Sequence, residues 1–240
     1  MIRLSSADVA APEGADATDS DERREVLLGE LRDHLGDAIV DSHIKPGRQL
    51  WIRVDPAAWR STFQHLRDDH GFHFFDFLSA IDWMPSPYGR YEDAAVDEVD
   101  VVTPASATPG ADGFATGVAG GETRFQVIAR VARLSDGDLG VIVKADVPAV
   151  DGDPNRPGAV ESIAALYSGA DWHERETHEM FGIGFDGHRY LEHIYLPTGF
   201  EGHPLRKDYP LLARVVKPWP GIVDVEPMPG GADEEEGEES

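Results

Sequence analysis

The residues TRFQVIARVARL (123–134) and LGVIVKADV (139–147) alternate apolar and polar side chains well enough to predict two β-strands. Alternation is typical of strands because successive side chains point to opposite faces of a sheet. The four residues between them, 135–138, are Ser, Asp, Gly and Asp, which favour a turn. The two stretches therefore predict a pair of neighbouring strands.

Further helices and strands are predicted on both sides of this pair. They are a helix at 22–35, strands at 37–44 and 48–54, a helix that begins at 55–56, a strand at 72–84 and a helix at 158–168. This order predicts an α+β fold with a mostly antiparallel sheet and packed helices. A further helix from residue 171, called the signature helix below, is followed by a long irregular Pro-rich C-terminal arm.

The composition excludes several classes of function. The chain has 45 Asp and Glu residues against 21 Lys and Arg, a formal net charge of −24, and no cysteine. The negative charge excludes a nucleic-acid partner, because phosphate contacts need clustered cations. The absence of cysteine excludes cysteine-ligated zinc and iron–sulfur centres, because both need thiolates. No stretch approaches the ~18–20 apolar residues of a membrane-spanning helix, and no targeting segment is recognisable. We therefore expect a cytoplasmic chain.

The acidic residues are concentrated in segments that are poor in large apolar residues. About two thirds of the net charge lies in residues 1–25, 86–122 and 231–240. Such segments bury too little surface to offset the entropy of ordering them. The predicted organisation is a disordered tail at 1–21, an α+β domain at 22–170 with a flexible insertion at 86–122, a signature helix and docking arm at 171–230, and a disordered tail at 231–240.

A metal site is the first hypothesis for residues 171–211, which contain five of the ten histidines. The five are His173, His178, His188, His193 and His203. A zinc site of the His-Glu-x-x-His type needs histidines four residues apart on one helix face. His173 and His178 are five apart, a rotation of about 500° in a helix. The spacing argues against a metal site.

Two other hypotheses remain open for the same segment. Glu176 and Glu179 could form a general acid and base, although Glu and Arg at helical spacing more simply pair with one another. Alternatively, the helix docks on a partner, because one side of it combines apolar and acidic groups. That side contains Trp172, Glu176, Glu179, Met180 and Ile183.

The chain after this helix is irregular yet rich in large apolar residues. Recurrent Gly and Pro forbid long helices or central strands there. Such a segment has no core of its own and must pack on its own domain or on another subunit. We expect residues past about 171 to extend from the domain and to bury apolar surface mainly on partner subunits.

Two linked motifs in this region resemble a known family. They are E-R-E-x-x-E-M-F-G-I-x-F-x-G-H from Glu174 to His188, and G-F-E-G-H-P-L-R-K-D-Y-P-L from Gly199 to Leu211. Both resemble the C subunit of bacterial NADH-quinone oxidoreductase, which is the thirty-kilodalton subunit of respiratory complex I. One position departs from the family pattern, because Glu192 stands where a basic residue is usual.

The resemblance implies a non-redox structural subunit of the hydrophilic arm, peripheral on the cytoplasmic side of the cell membrane. Such a chain supports the quinone-reducing module and has no catalytic residue, cofactor or metal of its own. FMN, iron–sulfur clusters, NADH and quinone would be bound by other subunits, and the partners would be chiefly the D and B subunits. The alternatives are an equivalent subunit of an ion-pumping hydrogenase or of a dehydrogenase with another donor, and a stand-alone carboxylate-based hydrolase.

The resemblance also implies which residues form the family signature and contact partners. Glu and Arg side chains would anchor the signature helix through charge pairs, and apolar anchors would supply more of the affinity. The implied residues are Trp172, Glu174, Arg175, Glu176, Glu179, Met180, Phe181, Gly182, Phe185, Gly187, His188, Gly202, His203, Pro204, Leu205, Arg206, Lys207, Asp208 and Trp219.

Overall fold

Three α-helices and seven β-strands appear in the computed structural model, which describes residues 17–45, 47–85, 114, 116–136 and 139–209. The helices are α1 (Ala17–Leu35), α2 (Trp59–Asp68) and α3 (Ala170–Phe181). The strands are β1 (Ile39–Lys45), β2 (Gln49–Val54), β3 (Phe74–Asp82), β4 (Phe125–Arg133), β5 (Leu139–Asp146), β6 (Ala159–Glu161) and β7 (Gly184–Asp186).

The first five strands form one sheet in the order β1-β2-β5-β4-β3. Every neighbouring pair is antiparallel except β2 and β5, which run parallel with Leu50 opposite Val141. The strands β6 and β7 form a separate parallel pair. The predicted α+β fold with a mostly antiparallel sheet is confirmed.

One face of the sheet packs on the helices. Alternate residues of β2 and their partners in β5, such as Ile52 and Val143, are fully buried on this face. They share one hydrophobic cluster with Leu31 of α1 and with Trp59 and Phe63 of α2. The strands form here because their apolar alternation matches the pleat, and α2 forms because its apolar residues recur at helical spacing.

The opposite face of the sheet carries cations and is covered by residues 116–122. Lys144 Nζ donates hydrogen bonds to the carbonyls of Val118 and Gly120, over 2.7 and 3.0 Å. Arg53 donates to a third carbonyl of this segment over 2.9 Å and to Asp146 over 2.8 Å. Buried cations need such acceptors, and the carbonyls of this segment supply them on this face of the sheet.

The end of the flexible insertion was therefore predicted too late in the chain, at residue 122. Residues 116–122 were expected to be part of it, whereas the structure packs them on the sheet, with Ala119 buried. Most of the predicted insertion, residues 86–113, lies outside the described residues, as do the C-terminal acidic tail and residues 1–16 of the N-terminal tail. The predicted tail boundary at 21 also differs, because α1 already begins at Ala17.

The predicted helix at 158–168 is wrong. Residues 159–161 form β6, which pairs with β7 in register from Ala159 and Gly184 onward. The chain that follows forms a turn, in which the N–H groups of Leu166 and Tyr167 donate to the Ile163 carbonyl. The N–H of Ile163 itself donates to the Glu174 carboxylate, so a side chain satisfies the donor at the start of this turn.

The predicted boundary at residue 171 is also not where the structure divides. The chain through Tyr209 belongs to one compact unit, and α3 packs on β3 within it. Residues 182–209 fold back onto α3 through the contacts described below. The part of the predicted docking arm that begins at residue 210, including Trp219, lies outside the described residues.

Candidate functional site

Glu174 of α3 is a fully buried carboxylate that holds the chain next to β6. Its two oxygens accept hydrogen bonds from Ser162 Oγ and from Ile163 N–H, each over 2.6 Å. Burial outweighs these donors and raises the pKa of Glu174 to about 7. Glu174 therefore retains its proton to a higher pH than an exposed glutamate does.

His188 lies beside this carboxylate, also with a fully buried side chain. Its Nε2 atom is 3.2 Å from Asp171 Oδ1 and 3.9 Å from Glu174 Oε2. The end of β6, the first turns of α3 and the chain after β7 thus meet at one buried polar cluster. The predicted signature residues Glu174 and His188 are brought together here.

Glu179 binds the backbone of the returning chain. Its carboxylate accepts N–H groups from Ile194, Tyr195 and Leu196, the first over 3.0 Å and the second over 3.1 Å. Burial disfavours the charge, but the backbone donors outweigh it and lower the pKa of Glu179 below its ordinary value. An ionised Glu179 therefore anchors residues 194–196 on α3.

The C-terminal end of α3 is capped by side chains of the second motif. Gly182 adopts a left-handed φ of 76° there, which glycine tolerates without steric cost. Arg206 Nε donates to the Phe181 carbonyl over 2.6 Å, and His203 Nδ1 lies 2.8 Å from the Glu179 carbonyl. Both satisfy carbonyls that the helix leaves without partners, and a cation is favourable at this end of the dipole.

A buried ion network fixes the second motif to the sheet. Arg124 and Asp82 form a bidentate pair over 2.7 and 2.9 Å, and neither side chain is exposed. Asp208 adds a second carboxylate 3.0 Å from Arg124, and Lys207 N–H donates to Asp82 over 2.8 Å. Burial opposes the charge of Arg124, but Asp82 and Asp208 outweigh it and raise its pKa.

Arg175 does not form the expected salt bridge with a glutamate of its own helix. It donates to the carbonyls of Glu192 and His193, over 3.0 and 3.2 Å, and its guanidinium lies over the ring of Tyr190. Glu192 enters this contact through its backbone carbonyl and is itself exposed. The predicted salt-bridged helix is therefore wrong for Arg175, Glu174 and Glu179, whose partners are mostly backbone groups.

The apolar signature residues separate into two groups. Phe181 and Phe185, which were predicted partner anchors, are buried in the core of the chain itself, and Met180 packs against that core. Trp172 is 63% exposed and Leu205 49% exposed. The prediction of partner anchors is wrong for the two phenylalanines because their own domain already covers them.

The remaining predicted positions are structural or partly exposed. Gly202 has a φ of 95°, and a side chain there would collide with the ring of Tyr209. Gly187 likewise has a φ of 85°. Glu176 and Pro204 are half-buried, and Lys207 is exposed.

Within the described part of the chain, no group of three or more His, Asp or Glu side chains converges where it could hold a metal ion. His173 instead places Nδ1 3.1 Å from the Leu78 carbonyl, and His178 places Nδ1 2.8 Å from the Ile183 carbonyl. None of the helices described is long and apolar enough to cross a membrane.

Residues 52–215 match the family model described as "Respiratory-chain NADH dehydrogenase, 30 Kd subunit". The chain belongs to this family. The matched region of the 30 kDa subunit family begins in β2 and includes α3 and both motifs, so the predicted resemblance is confirmed.

Relatives within the 30 kDa subunit family include the NADH-quinone oxidoreductase C subunit of Mycobacterium avium (strain 104), 51% identical over 165 residues. That match covers 68% of this chain and 53% of the relative. The corresponding C subunit of Mycolicibacterium smegmatis is 52% identical over 69 residues, 29% of this chain and 27% of the relative. The matched region thus spans about half or less of these relatives.

A solved structure with a similar fold is a chain of the membrane-bound sulfane sulfur reductase, an archaeal respiratory membrane complex. The TM-score is 0.54 at 16% identity, over 80% of this chain and 88% of that chain. At this identity the similarity concerns the fold alone.

Several residues that hold the two motifs in place were not predicted from the sequence. They are Asp82, Arg124, Asn155 and Ser162. Asp82 and Arg124 offered one signal, since each is a charged residue at the end of an apolar strand prediction. Their partners in the second motif are 84 and 125 residues away, which is too far for spacing to reveal.

Proposed function

We propose that this chain is a non-redox structural subunit in the hydrophilic arm of a proton-translocating NADH:quinone oxidoreductase. Family membership supports the complex. One observation carries the structural role: Glu174, Glu179 and Arg206 use their charged groups on the chain's own backbone and side chains. Groups engaged in this way hold the fold and are not presented to a substrate.

The proposed docking surface surrounds α3. It consists of Trp172, Tyr190, Tyr195 and Leu205, which are 63%, 61%, 63% and 49% exposed. Each lies on α3 or is joined to it, since Tyr195 N–H bonds to Glu179 and Leu205 N–H to the Met180 carbonyl. Aromatic residues are enriched at interfaces, where they supply much of the binding energy.

The partners proposed for this surface are other subunits of the complex, chiefly the D and B subunits of the quinone module. The chain has no cysteine, so any cysteine-ligated iron–sulfur cluster belongs to another subunit. FMN, NADH and the quinone are assigned to other subunits as well. Membrane association then comes only through the assembled complex, on the cytoplasmic side.

The test is affinity purification of the tagged full chain from its own cells, followed by identification of the proteins that co-purify. We expect subunits of an NADH:quinone oxidoreductase, with Trp172→Ala and Tyr195→Ala lowering the amount of complex recovered. Phe74→Ala is the matched control, because Phe74 is an aromatic residue of β3 that is 45% exposed and is not part of the proposed docking surface.

Quinone reduction per assembled complex should remain near the wild-type rate in these variants. Normal assembly with lost quinone reduction would contradict a purely structural role. Hydrogenase subunits among the co-purifying proteins would assign the chain to a related complex, and hydrolytic activity of the purified chain alone would refute the proposal.

A further inference from the structure

Two histidines face each other at the end of α2. His65 lies in the last turn of α2 and His70 just beyond it, and their Nε2 atoms are 3.1 Å apart with ring planes at 85°. About a tenth of each side chain is exposed: 10% for His65 and 12% for His70. This histidine pair is remote in sequence from both motifs and has no part in the proposed function.

A carboxylate lies behind each ring of the histidine pair. Asp69 Oδ2 is 2.6 Å from His65 Nδ1, and Glu30 Oε2 is 3.5 Å from His70 Nδ1. A carboxylate at Nδ1 retains the proton there and leaves the lone pair on Nε2. The two Nε2 atoms are within hydrogen-bond distance of one another, so without a metal ion one ring donates its Nε2 proton to the other. A metal ion that displaces this proton would meet both Nε2 lone pairs in the same gap.

The surroundings orient the pair and add negative charge. The ring of His34 from α1 stacks on His65 with centroids 3.6 Å apart and planes at 4°. The same surface depression is lined by Glu30, Asp33 and Asp69. It is open to water, so an ion at the gap could complete its coordination with solvent.

We propose that His65 and His70 bind one divalent transition-metal ion of the zinc type between their Nε2 atoms. Zinc–nitrogen bonds of about 2.05 Å across the observed gap give an angle of about 98° at the metal. That angle lies between the ligand–metal–ligand angles of octahedral and tetrahedral coordination. Imidazole nitrogen favours zinc, copper or nickel over magnesium or calcium.

The proposed site has two protein ligands, fewer than a closed structural zinc site would have. Water fills the other positions, and the ion remains exchangeable. Bound metal would join the end of α2 to α1, because the carboxylate behind His70 belongs to Glu30 of α1.

The test is calorimetric titration of the full chain with zinc chloride in excess magnesium, which occupies weak carboxylate sites. We expect one binding event per chain that His65→Gln and His70→Gln abolish. Asp69→Asn should weaken it about tenfold, the usual effect of removing a carboxylate behind a metal-ligating histidine. Since Asp69 is well exposed, this variant tests the site without endangering the core. His43→Gln, at an exposed histidine of β1, is the matched control and should bind as the wild type does.

Imidazole ¹⁵N NMR supplies a second readout that a packing defect would not change. On addition of zinc, both Nε2 resonances should shift, and both Nδ1 atoms should keep their protons. Equal zinc binding by wild type and His70→Gln would overturn the proposal, because the ion would then be held elsewhere. Unchanged Nε2 resonances would overturn it too, since the pair would then share only a proton.

Discussion

Replacing Glu174 by glutamine should change how the stability of the chain depends on pH. The carboxyl titrates near 4.5 when exposed and at about 7 in the buried site beside Ser162 and Ile163. The folded state therefore binds this proton more tightly than the unfolded chain does. The stabilisation that protonated Glu174 gives the folded state is fully present below about pH 4.5 and is lost as the pH rises through about 7. The difference corresponds to about 3 kcal/mol.

The assay is urea unfolding of the full chain at several pH values between 4.5 and 8.5. Glu174→Gln keeps the shape of the side chain and a carbonyl acceptor for Ile163 N–H, but it cannot ionise. Over this range the free energy of unfolding of the wild type should therefore fall by about 3 kcal/mol more than that of the variant. Glu176→Gln is the matched control on the same helix, where the side chain is only half-buried. It should retain the wild-type slope. Identical pH profiles for wild type and Glu174→Gln would refute the reasoning.

Three further predictions concern the contacts that hold the two motifs. Asp82→Asn removes the charge that balances its fully buried arginine partner and should lower the free energy of unfolding in urea by about 3–5 kcal/mol. Asp76→Asn is the control, because the Asp76 carboxylate is 39% exposed in its ion pair, and it should lower the same quantity by about 1 kcal/mol or less. Glu179→Gln should speed hydrogen exchange at the three amides that its carboxylate binds; unchanged exchange would show that the segment is held by other contacts. Phe185→Ala should destabilise the isolated chain by about 3–5 kcal/mol, and Trp172→Ala by about 0.5 kcal/mol or less; equal losses would contradict the distinction between a core residue and a docking residue.

Local patterns were sufficient to predict most of the sheet. The strands around residues 123–134 and 139–147 were found because their alternation is a property of the segment itself, and β4 and β5 lie within those bounds. Residues 158–168 were assigned to a helix because the sequence does not reveal that Glu174 binds the N–H of Ile163. The turn there depends on a partner supplied by tertiary structure.

The residues of the two motifs meet around α3, but the direction of their contacts was not predicted. Charged residues around Glu174 to Glu179 were expected to pair within the helix or with partner subunits. In the structure Glu179 binds backbone amides of the returning chain instead, and Arg206 binds the Phe181 carbonyl. Residue spacing identifies which side chains share a helix face, but it cannot identify which irregular segment will return to that face.

The contact between Lys207 N–H and Asp82 has a consequence for biosynthesis. Its partners are separated by 125 residues, and Asp208 joins Arg124 across 84. A nascent chain can pair Asp82 with Arg124 once β4 has left the ribosome, but it cannot cap α3 or complete the ion network until residues 203–208 have emerged. A chain that terminates before this point would leave the carbonyls of Glu179 and Phe181 without these partners, so proteases should distinguish prematurely terminated chains from finished ones.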